Sequence, residues 1–159
     1  MTQNKLLAIG DCNTLGVGEL VNNSYPERLG DIMNLDVINC GYTMATTREG
    51  LALLQDNYAE NIKLLIIQFG LVDSYPTFKY APYIPYYPDN PIRKQLRSIV
   101  KKYKKLCRKY GLHDRFGEKN VTSEGDYIAN IRKMILLAGQ TTTILLDTIP
   151  NQQPGRNNH

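Results

Sequence analysis

The sequence predicts an α/β domain in three layers, with a parallel sheet covered by helices on both faces. Short apolar runs alternate along the chain with stretches in which apolar residues recur at helical spacing. Strands that alternate with helices pair in parallel through right-handed crossovers, which places helices on both faces. The 159 residues are in the size range of one domain, which we assign to residues 1–150, followed by a loose tail at 151–159.

Four strands are predicted, at about residues 4–9, 35–39, 62–69 and 141–147. The first contains the apolar run K-L-L-A-I and ends before Gly10; the third, I-K-L-L-I-I-Q-F, ends before Gly70. Continuous apolar runs of this length are typical of parallel strands buried on both faces. The sheet is therefore expected to lie in the middle of the domain.

Four helices are predicted from apolar periodicity and from serine, proline or glycine at their ends. They cover residues 25–34, a stretch after residue 43 with Leu51, Leu54 and Tyr58 on one side, residues 92–110, and a stretch from Thr122 or Ser123 to Ala138. Residues 75–91 contain five tyrosines and five prolines, which excludes regular helix and inner strand. We expect a stiff aromatic loop there.

Positive charge is concentrated in one segment. The net charge is +4, and nine of the nineteen Lys and Arg residues lie in 93–109, opposite the apolar side of the predicted helix. Such a face either binds an anionic polysaccharide, nucleic acid or acidic lipid, or is simply solvated. A nucleic-acid partner is not expected.

The sequence contains no signal for a membrane, a metal or a cofactor. No apolar run approaches the roughly 18 residues of a membrane span, and the N-terminal apolar stretch is too short for a secretory signal. Cys12, Cys40 and Cys107 form no close pair. We expect a cytoplasmic protein with reduced thiols, and with Cys40 and Cys107 packed in its interior.

Polar and glycine-containing segments follow the first three strands. They are G-D-C at 10–12, G-Y-T-M at 41–44 and G-L-V-D at 70–73. Ligand sites of open parallel sheets lie beyond the carboxyl ends of the strands. The three segments are therefore expected to meet in one crevice.

These segments resemble the first three sequence blocks of the SGNH (GDSL-type) hydrolases, which read G-D-S-x-x-x-G, N-x-G-x-x-G-x-T and G-x-N-D. Here residues 10–16 read G-D-C-N-T-L-G, residues 39–46 read N-C-G-Y-T-M-A-T, and residues 70–73 read G-L-V-D. The order and spacing agree with the family. The resemblance implies a flavodoxin-like, doubly wound sheet and an ester hydrolase ancestry.

The resemblance also implies roles for five residues. Cys12 occupies the nucleophile position and, with its backbone, one oxyanion position. Met44 replaces the glycine of the oxyanion hole, where a long side chain disfavours positive φ. Val72 replaces the asparagine that donates from its side chain, and Asp11 and Asp73 organise the site through hydrogen bonds. A turn into a helix N-terminus is expected to lower the thiol pKa.

The family's last block, D-x-x-H, is not found. Strand 141–147 resembles the family strand that precedes one more helix, one more strand and that block, so we expect a C-terminally incomplete domain whose sheet lacks the last strand. His113 and His159 are candidates for a displaced base, although both positions are more typical of surface residues. The bare edge of strand 141–147 favours a homo-oligomer.

The tyrosines of the aromatic loop are candidates for substrate contacts, because their flat faces and hydroxyls suit sugars. We single out Tyr75, Tyr80 and Tyr83; the alternative is a rigid loop packed on itself.

Three functions remain open. The first is an esterase or acyl-transfer activity on small O-acyl esters, perhaps of carbohydrates, impaired by the missing base and by Val72. The second is a non-catalytic relative that binds a carbohydrate or acyl ligand. The third is a flavodoxin-like phosphate binder with a loop of Gly10, Gly16 and Gly18, but the spacing of a P-loop is absent.

Overall fold

The computed structural model describes residues 4–148, and the order of its elements is the alternation expected from the sequence. The loose tail expected at 151–159, and His159 within it, lie outside the described residues. The elements are β1 (Lys5–Gly10), α1 (Cys12–Leu15), α2 (Tyr25–Met33), β2 (Asp36–Gly41), α3 (Thr47–Asn57), β3 (Ile62–Gln68), β4 (Pro76–Phe78), α4 (Pro91–Lys109), α5 (Leu112–Phe116), β5 (Glu118–Asn120), α6 (Glu124–Ala138) and β6 (Thr142–Leu145).

The main sheet contains four parallel strands in the order β2-β1-β3-β6. After β1 the chain forms β2 on one side of it and then β3 on its other side. In such a sheet the ligand crevice opens where the order reverses, between β1 and β3. The three-layer, doubly wound architecture predicted from the sequence is confirmed.

Alternate side chains of the strands point into two separate cores. On one face, residues such as Leu7, Ile9 and Ile67 pack with α3 and α6; on the other, Leu6 and Ala8 pack with α2. All five of these side chains are 0–1% exposed. Burial on both faces explains why the strands are continuously apolar rather than alternating.

The aromatic loop contains a short strand that the sequence did not reveal. Strand β4 pairs antiparallel with β5, which lies more than 35 residues later in the chain. Pro76 is the first residue of β4, where the missing N–H is tolerated. The pairing attaches the loop to the segment after α4, and the small helices α1 and α5 were likewise not predicted.

The apolar side from which helix α4 was predicted is largely exposed. The residues that are buried or half-buried include Arg97, Val100, Lys104 and Cys107. Most of the apolar positions used to predict the helix are exposed. The periodicity identified the helix correctly but not the side that meets the protein.

Gly41, at the end of β2, is required by the close approach of α1. A Cβ atom at this position would lie 2.1 Å from the backbone nitrogen of Leu15. Backbone cannot move aside as a flexible side chain can. Glycine at this position therefore permits the first and second sequence blocks to touch.

We predict that Gly41→Ala lowers the free energy of unfolding by about 1–3 kcal/mol, the usual cost of overpacking. The matched control is Gly125→Ala in the first turn of α6, where a Cβ meets nothing within 4 Å. The control should be neutral or stabilising by up to about 1 kcal/mol, because alanine favours helix. Urea unfolding measures both; equal effects would contradict the close contact between α1 and β2.

Candidate active site

The first sequence block forms the turn from β1 into α1. Asp11 caps α1, with Oδ1 accepting a hydrogen bond from the backbone N–H of Asn13 at 2.8 Å. The backbone N–H of Tyr42 donates to the carbonyl of Gly10 at 3.0 Å, which joins this block to the second. Cys12 is half-buried as the first residue of α1.

The second block retains the backbone conformation expected of the family glycine, although a methionine occupies the position. Met44 has φ of +64°, in the left-handed region. For a non-glycine residue this conformation costs of order 1–3 kcal/mol and persists only where the surroundings determine it. Methionine does disfavour positive φ, but the surrounding structure holds Met44 in this strained turn nevertheless.

The third block is attached to the start of α3 through Asp73. Its carboxylate accepts hydrogen bonds from the Thr47 hydroxyl at 2.8 Å and from the Thr47 backbone N–H at 3.1 and 3.2 Å. Asp73 is 3% exposed. These hydrogen bonds fix the third block to α3, and Thr47 is a partner that the sequence analysis missed.

The aromatic loop is attached to the same helix by Glu49. This carboxylate, 1% exposed, accepts hydrogen bonds from the Tyr83 hydroxyl at 2.6 Å and from the Tyr86 backbone N–H at 2.8 Å. Its other oxygen accepts from the backbone N–H and the hydroxyl of Thr46 at 2.9 and 2.7 Å, completing a capping box. The T-x-x-E spacing of Thr46 and Glu49 was a readable signal for the cap, though not for the loop contact.

A crevice of about 70 Å³ lies beyond the sheet, between these loops and α4. Met44 and Val72 both line it, whereas Cys12 does not. The remaining lining residues are Pro82, Tyr83, Ile84, Tyr86, Arg97, Val100, Lys101, Lys104 and Val121. Of the three tyrosines proposed as substrate contacts, Tyr83 lines the crevice and Tyr75 and Tyr80 do not.

The rim that α4 contributes is positively charged. The guanidinium of Arg97 forms an ion pair with Asp89 and donates a hydrogen bond to the carbonyl of Pro85. Lys101 and Lys104 have no carboxylate partner among residues 4–148. Partial burial, with Lys119 and Arg108 nearby, lowers the pKa of Lys104. An anionic group entering the crevice would meet these ammonium groups.

The electrostatics around Cys12 do not activate it. Burial, followed by the neighbouring Asp11 carboxylate, raises the pKa of the Cys12 thiol. The expected lowering by a helix N-terminus is therefore wrong: α1 is only four residues long, and burial and Asp11 outweigh it. At neutral pH the sulfur is a thiol, which is a poor nucleophile without a base.

His113 does not supply that base, and the other histidine candidate, His159, lies outside the described residues. His113 is 8% exposed, its Nδ1 contacts Glu118, and its ring lies 5.2 Å from that of Phe78. It thus belongs to the small cluster between α4, α5 and β4, not to the crevice lining. No group of three or more His, Cys, Asp or Glu within residues 4–148 is arranged to hold a metal.

Several solved structures share the architecture of this chain. One is described as a lipolytic protein of the G-D-S-L family from Desulfitobacterium hafniense, with a TM-score of 0.60 and 21% identity over 98% of this chain and 64% of that one. The chain has the SGNH-hydrolase fold. The sequence itself matches no family model and no curated protein.

Two further structures of this fold come from other bacteria. An acetyl xylan esterase from Geobacillus stearothermophilus has a TM-score of 0.55 and 19% identity, covering 97% of this chain and 65% of the esterase. A lipase/acylhydrolase from Enterococcus faecalis has a TM-score of 0.54 and 18% identity, covering 93% and 59%. The chain therefore spans less than two thirds of the length of these relatives.

We predict that Glu49→Gln lowers the free energy of unfolding by about 3 kcal/mol. An amide in place of the carboxylate leaves buried donors of Thr46, Tyr83 or Tyr86 unsatisfied, at about 1–3 kcal/mol each. The control, Asp56→Asn, removes an exposed carboxylate that accepts from the Tyr87 hydroxyl and should change stability little. Urea unfolding of both variants checks this, and equal losses would contradict the anchoring role of Glu49.

A second prediction concerns the pH dependence of Asp11→Asn. Burial, with a smaller contribution from Asp73, raises the pKa of Asp11 above its ordinary value of 3.8 despite the hydrogen bond from Asn13. The folded chain then binds more protons at this site than the unfolded chain, so the stability that Asp11 contributes is lost as pH rises. We expect the variant to gain stability relative to the natural chain as pH rises from about 4 to 7.

Glu27→Gln provides a control of opposite sign. Burial opposes ionisation of Glu27, but hydrogen bonds from Ser24 and Asn39 outweigh it and lower the pKa below 4.5. This group contributes stability that is present at neutral pH and lost as pH falls. Unfolding curves at several pH values should diverge in opposite directions for the two variants; parallel curves would contradict both assignments.

Proposed function

We propose that the crevice binds small O-acyl esters, among them acylated sugars, and that Cys12 is the position that accepts the acyl group. The observation that carries this proposal is the left-handed turn at Met44, beside Val72, in one crevice beyond the sheet. A backbone N–H held in a strained turn is suited to a developing oxyanion. Named relatives of the same fold include an acetyl xylan esterase and a lipase/acylhydrolase.

In the proposed reaction, the sulfur of Cys12 attacks the ester carbonyl carbon and the bond from that carbon to the alcohol oxygen breaks. The thiol proton passes to a base, and the alcohol leaves after protonation. Backbone N–H groups of Cys12 and Met44 are the proposed oxyanion donors. Val72 offers no side-chain donor, a loss that typically costs roughly a hundred- to a thousandfold in rate.

The second candidate is a non-catalytic relative that uses the crevice to bind a carbohydrate or acyl ligand. The raised pKa of Cys12 and the apolar Val72 favour it. In that case Tyr83, Tyr86 and the ammonium groups of Lys101 and Lys104 would select the ligand. The charges favour a ligand with a negative group.

Cellular location and assembly are also proposals. Free thiols at Cys12, Cys40 and Cys107 support a reducing compartment such as the cytoplasm. Among residues 4–148, no helix is long and apolar enough to cross a membrane. A homo-oligomer through β6 is supported by the position of this strand at the edge of the sheet that residues 4–148 form, where Ile144 and Leu145 are 39% and 51% exposed.

We predict that p-nitrophenyl acetate slowly acetylates Cys12, and that imidazole accelerates this by acting as a base, which no histidine among residues 4–148 does at Cys12. Intact-mass spectrometry should detect one acetyl group, lost in Cys12→Ala and retained in the control Cys40→Ala. Val72→Asn restores a donor and should raise the acetylation rate by about tenfold or more. The control Val100→Asn, in the same crevice, should not.

The outcomes separate the two functions. Acetylation that depends on Cys12 and becomes faster in Val72→Asn supports the proposal that Cys12 accepts the acyl group of an ester. No Cys12 adduct, with or without imidazole, contradicts the acyl-accepting role. Binding of acetylated xylo-oligosaccharides without any adduct would then favour the non-catalytic relative.

A further inference from the structure

Helix α4 presents a continuous line of apolar side chains to solvent. Six residues, spaced alternately by four and three positions, form what we name the apolar stripe: Ile92, Leu96, Ile99, Tyr103, Leu106 and Tyr110, the last of them the residue that caps the helix. Their exposed fractions are 71%, 42%, 62%, 40%, 52% and 65%. Single exposed apolar residues are ordinary, but a contiguous stripe of this length marks a contact surface.

The stripe is not the side by which α4 packs on its own domain. That side is formed by Arg97, Val100, Lys104 and Cys107, of which Cys107 is 2% exposed. At 100° per residue, the stripe lies about a quarter turn away from these positions. Within residues 4–148, the ring of Tyr103 contacts that of Phe78 at 6.0 Å between centroids, and 40% or more of each stripe residue nevertheless remains exposed.

The charge of α4 is of one sign. From Pro91 to Lys109 the helix contains nine Lys and Arg residues and no Asp or Glu. Lys102 and Lys109 are exposed on the side of the stripe that faces away from the domain. Their long stems can lie along an apolar surface while the ammonium groups reach a polar layer.

We propose that α4 docks on the surface of an anionic lipid bilayer, with the apolar stripe in the interface and Lys102 and Lys109 at the lipid headgroups. An amphipathic helix with an apolar face and a wholly cationic polar face is the type that binds in this plane. Tyr103 and Tyr110 fit a boundary that is apolar on one side and wet on the other. This inference does not depend on catalysis at Cys12.

A protein helix is the weaker candidate for the same stripe. Helices that pair through a four-three spacing usually carry charges of both signs beside the seam, which set partner and register. Here the flanking charges are uniformly positive, so a second copy of α4 would be repelled. An acidic amphipathic helix is the remaining protein partner and becomes an outcome of the test.

The chain contains no tryptophan, so one introduced residue is a specific probe. Leu96→Trp places it in the apolar stripe, and Ile32→Trp places it on α2, where the side chain is 82% exposed. With phosphatidylserine–phosphatidylcholine vesicles, the emission of the stripe variant should shift to shorter wavelength and that of the α2 variant should not. Phosphatidylcholine vesicles alone should cause little shift, and added salt should reverse it.

Sedimentation with the same vesicles tests the residues themselves. Ile99→Gln with Leu106→Gln should lower vesicle binding at least tenfold, and Lys102→Gln with Lys109→Gln should lower it severalfold. The matched controls, Ile32→Gln on α2 and Lys133→Gln on α6, should bind as the natural chain does. Urea unfolding confirms that each variant is folded, which is expected because the substituted side chains are exposed.

The proposal is wrong if the folded natural chain does not bind anionic vesicles, or if the stripe variants bind them as well as the controls. It is also wrong if an acidic amphipathic peptide binds through the stripe while vesicles do not. None of these outcomes bears on acetylation of Cys12, which is measured without lipid.

Discussion

The carboxylate of Glu49 connects the helix that follows the second block to the loop that walls the crevice. It satisfies the first turn of α3 through Thr46 and holds the loop through Tyr83 and Tyr86. Met44 lies two residues before the cap, so the start of α3 also limits the path of the strained turn. A buried carboxylate is costly unless several donors surround it, and here that requirement determines where the loop lies.

The surroundings of the first and third blocks favour the uncharged forms of their acidic groups. Burial raises the pKa values of Asp11, Cys12 and Asp73, and none of the three has a cationic side chain among the causes of its shift. Lys101 and Lys104 of α4, which have no carboxylate partner among residues 4–148, line the crevice, whereas Asp11, Cys12 and Asp73 are not part of its lining. A strained backbone turn and activation of a nucleophile are thus separable properties, because the left-handed turn at Met44 occurs here without a lowered thiol pKa at Cys12.

The sequence predicted those parts of the fold that depend on local patterns. Apolar runs located the four strands of the main sheet to within a few residues. Of the three segments expected to meet in one crevice, the second and third contribute Met44 and Val72 to its lining, but the first, residues 10–12, contributes no lining residue. The pairing of β4 with β5 could not be seen, because strands of three residues carry too little pattern and join distant parts of the chain.

Orientation and environment were harder to predict than position. Periodicity in α4 identified an apolar side, but whether that side meets the domain depends on the surrounding loops. The thiol pKa of Cys12 was expected to fall because of its place in a turn, yet it depends on burial and on Asp11, which only the folded chain reveals. Asp73 and Thr47, 26 residues apart in sequence, illustrate the same limit.

The hydrogen bonds that attach the aromatic loop to Glu49 involve few of its side chains, so other side chains of the loop could be substituted. Apart from the hydroxyl of Tyr83, its link to Glu49 is the backbone amide of Tyr86, which any residue except proline would provide. Ile84 and the ring of Tyr86 face the crevice without carrying that link. Substitutions at Ile84 and Tyr86 could therefore change ligand preference without removing the hydrogen bonds between the loop and Glu49. These two positions are a practical starting point for engineering.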